Sequence, residues 1–342
     1  MANFQDGINY GRNYALEFLP LNKTDASVKL AQENNLSFPD YRTGLAIEFT
    51  VTKTVPPISI GSTDKAELTI YNINPDTSRA IQRPGQFTFS LGHGGDLAEV
   101  FIGKATTSST GIVGNDTFLN LPMVAGDFMT KARYFSKTYN IGASTTQISI
   151  DLITFIKGSF DRGLPSTTVV GVNEFDFKDN VVYTEPKTLR GDAVELLALL
   201  HAPKYYVFIT AMNTVNIIRR NEFIVGPQAR QLLAGPSLLW SPKFGQIDYI
   251  KFISRPAVEG QGTVFTGIES RGILTPDINV GTIINVDAGA TNPTTFGPDL
   301  SGVAEKFFCR VTSVKHFGNT YTGDFLTQWA GDFISTDQLP EI

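Results

Sequence analysis

The sequence of 342 residues has one cysteine, three histidines and few charges, with Asp, Glu, Lys and Arg making up 18%. Each scarcity excludes something. A single cysteine, Cys309, cannot close an internal disulfide, and within Phe307-Phe308-Cys309-Arg310-Val311 it is expected as a small buried hydrophobe of a strand rather than a nucleophile. The histidines, His93, His201 and His316, share no His-x-x-x-His spacing and there is no Cys-x-x-Cys pair, so no metal site and no cofactor site is expected. No apolar run approaches the roughly 18 residues that span a bilayer, so no membrane anchor is expected. Met1 to Tyr10 carries Asp6 and no basic residue, and synthesis in a cytoplasm without a secretion signal follows as an expectation. A basic surplus is also missing. Lys plus Arg is 28 against 33 Asp plus Glu, a net charge of -5, which disfavours tight, charge-driven nucleic-acid binding while tolerating DNA in passage.

What the chain does have is 42% hydrophobic residues punctuated by 31 glycines and 18 prolines, the composition of many short strands. Leu45, Ile47, Phe49 and Val51 alternate with polar neighbours, as do Leu68 and Ile70, and the Pro56-Pro57 and Gly61-Ser62-Thr63-Asp64 steps between them predict an antiparallel pair. Asn74-Pro75-Asp76 opens a short helix that Arg83-Pro84-Gly85 ends. Strands are expected at Phe87 to Leu91, Val100 to Ala105 and Thr117 to Val124, making a barrel or sandwich of about six strands over residues 1–130.

Residues 131–229 change character. Ile148, Leu152, Phe155 and Ile156 form one helical stripe, and a second helix is expected to start at Pro186 to Thr188 and run through Leu189, Val194, Leu197 and Leu200 to Pro203. Tyr205 to Ala211 and Val215 to Arg219 then form a hairpin. Residues 230–342 return to strands, at Ile247 to Ile253, Gly262 to Glu269, Thr282 to Val286, Phe307 to Val314 and Gly323 to Trp329, with a polar loop over Gly289 to Ser301. The fold class is mainly β with an α/β insert.

No catalytic constellation emerges. His201 is expected to cap a helix end, His93 to be solvated in a glycine turn, and His316 to sit in a turn at a strand end, with no Gly-x-Ser-x-Gly elbow or reactive cysteine to partner it. Asp161, Glu174, Asp176 and Asp179 have no spacing that marks an acid/base pair, and Arg219-Arg220 is a solvated strand end. Most aromatics, such as Phe87 and Phe89, fall at inward positions, and Phe296 is the one aromatic of the Gly289 to Ser301 loop. A glycan hydrolase using Asp176 or Asp179, or a carbohydrate-binding adhesin, is the alternative class.

The order of three segments in the first third, Tyr14-Ala15-Leu16-Glu17-Phe18, Ala46 to Thr54 ending in Lys53, and Ala66-Glu67-Leu68-Thr69-Ile70-Tyr71-Asn72-Ile73, closed by Val100-Phe101-Ile102-Gly103, resembles the baseplate hub family of contractile phage tails. The same family is similar to the hub portion of type VI secretion spike proteins. Its second half is matched by Ile273-Leu274-Thr275-Pro276-Asp277, Arg310 to Asn319 and Phe325-Leu326-Thr327-Gln328-Trp329. Asp64-Lys65 and Asn319 depart from the family's turns. The resemblance implies two tail-tube-like β-barrels flanking a small helix-plus-hairpin domain, with no catalytic residue. It implies a homotrimer forming a pseudo-sixfold ring that joins the tail tube, or a tube-initiator protein, to a central spike protein. Other baseplate proteins, the tape measure protein and DNA in passage are the further partners, in a virion tail baseplate.

Overall fold

The computed structural model describes residues 12–20, 27–31, 45–54, 64–93, 96–125, 134–158, 168–171, 180–201, 205–209, 214–219, 239–240, 250–255, 264–287 and 306–334. The protein is mainly β with a few helices. The first third holds β1 (Arg12–Pro20), β2 (Val28–Ala31), β3 (Ile47–Thr54), β4 (Lys65–Tyr71), α1 (Pro75–Ile81), β5 (Gly85–His93), β6 (Asp96–Ala105), β7 (Ser109–Val113) and β8 (Asp116–Val124). The middle holds β9 (Tyr134–Tyr139), α2 (Thr145–Gly158), β10 (Thr168–Gly171), β11 (Lys187–Asp192), α3 (Ala193–His201), β12 (Tyr205–Ile209) and β13 (Thr214–Arg219). The last third holds β14 (Leu239–Trp240), β15 (Lys251–Arg255), β16 (Val264–Ile273), β17 (Ile283–Asp287), β18 (Lys306–Asn319) and β19 (Phe325–Ile334).

Alternation decides the strands. Ile47, Phe49 and Val51 of β3 are buried while Glu48 is exposed, and β3 pairs antiparallel with β4, Phe49 opposite Leu68. The Asn74 side chain accepts the Asp76 amide at 2.8 Å, and with Pro75 opening the first turn this fixes where α1 begins. β5 and β6 form a hairpin in which His93 faces Asp96. The strand β7 escaped the sequence pattern because its residues are mostly exposed on both faces; it turns through Gly114, at φ 62°, into β8.

Fourteen strands form one sheet, in the order β15-β16-β19-β18-β3-β4-β8-β6-β5-β1-β2 with β7, β14 and β17 as side branches. The two ends of the chain meet where β18 pairs with β3, from Ser313 opposite Thr54 to Asn319 opposite Glu48. The fourteen-residue β18 has three neighbours: β19 on one side, and on the other β17 along its first half and β3 along its second.

Three apolar cores follow. The first is rich in phenylalanine, with Phe18, Phe49, Phe87, Phe89 and Phe101 at its centre, and it takes in Leu274 and Phe325 from the last third. The second, built by Phe135, Ile148, Leu152, Ile156 and Leu197, packs the two middle helices on the β9–β11 pair. The third gathers Ile268, Ile284, Val311, Val314 and Trp329. One expected element is corrected here: Lys187 to Asp192 is a strand, paired with β9 from Lys187 opposite Tyr139 to Asp192 opposite Tyr134, and the helix begins only at Ala193. Asp192 accepts the Glu195 amide at 3.1 Å and so ends the strand as a helix cap. Cross-strand pairing has outweighed the apolar spacing of Leu189 with Val194 and Leu197.

Candidate functional site at the seam between the two ends of the chain

On β3 the parity that buries Ile47, Phe49 and Val51 also carries Lys53 inward, and the lysine is only 2% exposed. Its ammonium donates to Asn279 Oδ1, and the backbone N–H of Asn279 donates to Thr282 Oγ1 at 3.1 Å. Burial pulls the lysine down to about 8, against the opposing pull of Asp64 and Glu99. Burial likewise raises Glu99. Sequence reasoning missed this lysine, although its parity with three inward residues was there to be read.

His316 lies directly across the pairing line. It is inside β18, opposite Val51 on β3 and Thr327 on β19, and fully buried, not in a turn at a strand end as expected. Its Nδ1 lies 2.9 Å from Thr327 Oγ1, and burial, reinforced by the field of Lys53, holds the ring neutral. Farther along the seam Arg12 donates to the carbonyls of Asn319 at 2.7 Å and Gly323 at 2.5 Å, with its guanidinium 5.2 Å from the Phe325 ring centre. Thr320 Oγ1 accepts the Ile47 amide at 3.0 Å. The turn these groups grip depends on Gly318, at φ 148°, where a Cβ would come 2.2 Å from the Asp324 carbonyl oxygen. Buried in this way, the polar groups cross-link β1, β3, β18 and the 319–324 turn; they are out of reach of a substrate.

The other candidates fare similarly. His93 is not solvated: its ring meets Phe325 edge-on at 5.3 Å, and desolvation lowers its pKa. His201 does end α3, but buried, 2.7 Å from Ser149 Oγ, and burial pulls it to about 4, so it is a neutral partner of α2 instead of a capping cation. Ser149 donates its own proton to the Thr145 carbonyl at 2.7 Å, which leaves the histidine Nε2–H as donor in the pair. Cys309 is fully buried in β18 as expected, and burial with the nearby Asp332 charge pushes its thiol far up, away from reactivity. Asp161, Glu174, Asp176, Asp179, Arg220 and the Gly289 to Ser301 loop with Phe296 lie outside the described residues. Among the described residues no group of three His, Cys, Asp or Glu is placed to hold a metal. No described helix is long and apolar enough to cross a membrane.

The opposite, polar face of the sheet carries an open cleft of about 540 Å³ lined by Glu48, Thr50, Glu67, Thr69, Phe317 and Asp324 among others. Its described lining includes no histidine, lysine or cysteine, and Glu67 is tied to the Asn120 amide at 3.1 Å. The titratable groups of its lining are the carboxylates of Glu48, Glu67 and Asp324.

This arrangement of strands is a fold found in phage tail proteins and in a component of type VI secretion. The 43 kDa tail protein of prophage MuSo2 from Shewanella oneidensis superimposes with a TM-score of 0.52 at 10% identity, over 94% of this chain and 99% of that one. A tail protein from Neisseria meningitidis MC58 gives 0.53 at 8% identity, over 94% and 97%. The Escherichia coli c3393 protein, a type VI secretion component described as similar in structure to T4 tail proteins gp27 and gp5, gives 0.52 at 11%, over 85% and 74%. Neither a family model nor a curated protein matches the sequence. At identities this low the shared property is the fold.

Proposed function

We propose that the chain is a non-enzymatic structural subunit of a phage-type tail, a baseplate hub that trimerises into a pseudo-sixfold ring between the tail tube and a central spike. The observation that carries this reading is the run β15-β16-β19-β18-β3-β4-β8-β7, eight strands drawn from both ends of the chain and antiparallel throughout. Its outermost strands, β7 and β15, each have one partner among the described residues. Because the strands alternate along the run, β15 of one copy and β7 of the next would meet antiparallel, so head-to-tail contacts can close on themselves around an axis. The seam supports the same reading, since β18 from the last third pairs with β3 from the first, and β9 to β13 of the middle lie outside the run. In this assembly the spike, the tube or its initiator, other baseplate proteins and the tape measure are the partners, and DNA passes through the bore.

Light scattering of the purified protein, alone and with a co-expressed spike, tests this. The expected mass is three times the 37.4 kDa chain. A monomer under both conditions sinks the hub.

A further inference from the structure

One row of the polar sheet face differs from the rows around it. Reading directly across the ladder, Arg271 on β16 faces Gln328 on β19, which faces Lys315 on β18, then Thr52 on β3, Lys65 on β4, Val124 on β8 and Lys104 on β6. A cation thus stands on every second strand across seven strands. With neighbouring strands about 4.8 Å apart, the four charges are spaced about 10 Å from one another over about 29 Å. No carboxylate interrupts the row. The nearest acidic positions along the same strands, Glu67 and Glu269, sit two residues away; Glu67 accepts from Asn120, and Glu269 accepts from Gln328 of the row, where its charge offsets part of the row's attraction for an anion between Arg271 and Lys315. Lys65 and Lys315 are exposed, and Lys315 lies 5.1 Å over the Phe317 ring.

We propose that this row is a contact line for the phosphate backbone of duplex DNA, a site of weak, sequence-independent attraction on a chain whose net charge of -5 otherwise repels it. The inference rests on the hub reading, in which the polar face lines the bore. Charge complementarity selects the occupant. Gln, Thr and Val between the cations offer no aromatic anchor or deep pocket, which a folded protein partner would need. Cations about 10 Å apart also outspan a compact acidic motif, whereas duplex DNA presents a charge every ~1.7 Å of its axis and so satisfies an evenly spaced row in any register. Four contacts per copy hold a duplex only at low salt, and a polymer so held can slide.

The test measures fluorescence anisotropy of a labelled 30-base-pair duplex of arbitrary sequence with the full chain, over a salt series, beside the variant K65Q/K104Q/R271Q/K315Q. Circular dichroism checks that the variant folds, and the single variants K65Q and K315Q, at exposed positions, serve if it does not. The logarithm of the binding constant should fall with log salt, and the slope should shrink by about 0.9 for each cation removed, about 3.6 for all four. A control, K29Q/K187Q, removes two cations off the row and should leave the slope unchanged. An unchanged slope in the row variant overturns the proposal, as does poly-glutamate competing better than unlabelled duplex per unit charge. The two readings fail separately: a trimer with no row-dependent slope sinks the DNA line and leaves the hub, while a monomer that shows the slope sinks the hub and leaves the line.

Discussion

The two terminal cores are built from different materials. The first sets six phenylalanines among its aliphatic residues, with Phe18 against Phe87 at 4.9 Å and Phe49 edge-on to Phe89 at 5.6 Å; the last has no phenylalanine among its buried members and is branched aliphatic around Trp329 and Cys309. They also differ in independence. The last core uses only its own third of the chain, while the first borrows Leu274 and Phe325. A half that borrows its packing cannot be finished until its lender is in place, so the first third depends on the last more than the reverse.

Replacing Phe325 by Ala attacks that dependence most directly, because the ring packs on Phe49 at 5.6 Å and on His93 while Arg12 lies over it. A loss of about 3–5 kcal/mol is expected, with hydrogen-exchange protection lost first in β1 and β5. Trp329→Ala should cost a similar amount but loosen β16 to β19 first. If Phe325→Ala leaves β1 and β5 protected, the cores are independent and the comparison fails.

Lys53→Ala comes next, at about 3–5 kcal/mol in urea unfolding, because it leaves the 3% exposed Asp64 without its opposing cation. The double variant Lys53→Met with Asp64→Asn should recover most of that, which separates loss of pairing from loss of packing. Titration sharpens the contrast between seam and insert. Lys53 is held near 8 against an ordinary 10.5, so the unfolded chain binds the extra proton between those values and stability should rise with pH across the window, by up to about 3 kcal/mol. His201 is held near 4 against 6.5, so the unfolded chain again binds more protons and His201 alone should lower stability by up to about 3 kcal/mol on acidification from 6.5 to 4. The lowered His93 and His316 add acid losses of the same sign from the first core and the seam, so that His201→Gln should remove only the insert's share. Urea midpoints across both windows check the signs, and the double seam variant should lose the alkaline rise alone. Lys29→Ala, at an exposed pair with Glu17, should shift stability within about 0.5 kcal/mol.

Where local chemistry sets the outcome, the sequence was sufficient. The period of two in β3 and β5, the Asn74 cap and the stripe of α2 all appear where residue spacing puts them. It failed where a distant strand decides: β11 is a strand because β9 pairs with it, and His316 is interior because β18 runs on to meet β3. The comparisons bear on the resemblance, carried by ordered short segments, at the level of a tail-protein fold. Lys53 and the cation row lay beyond any single segment, since burial of the one and alignment of the other depend on register across strands far apart in sequence.

The threefold neighbourhood of β18 has a mechanical consequence. Pulling the two ends of the chain apart along the strands loads the hydrogen bonds between β18 and β3 sideways and all together, so they must rupture as a set instead of peeling singly. This lap joint sits midway along the eight strands from β15 to β7.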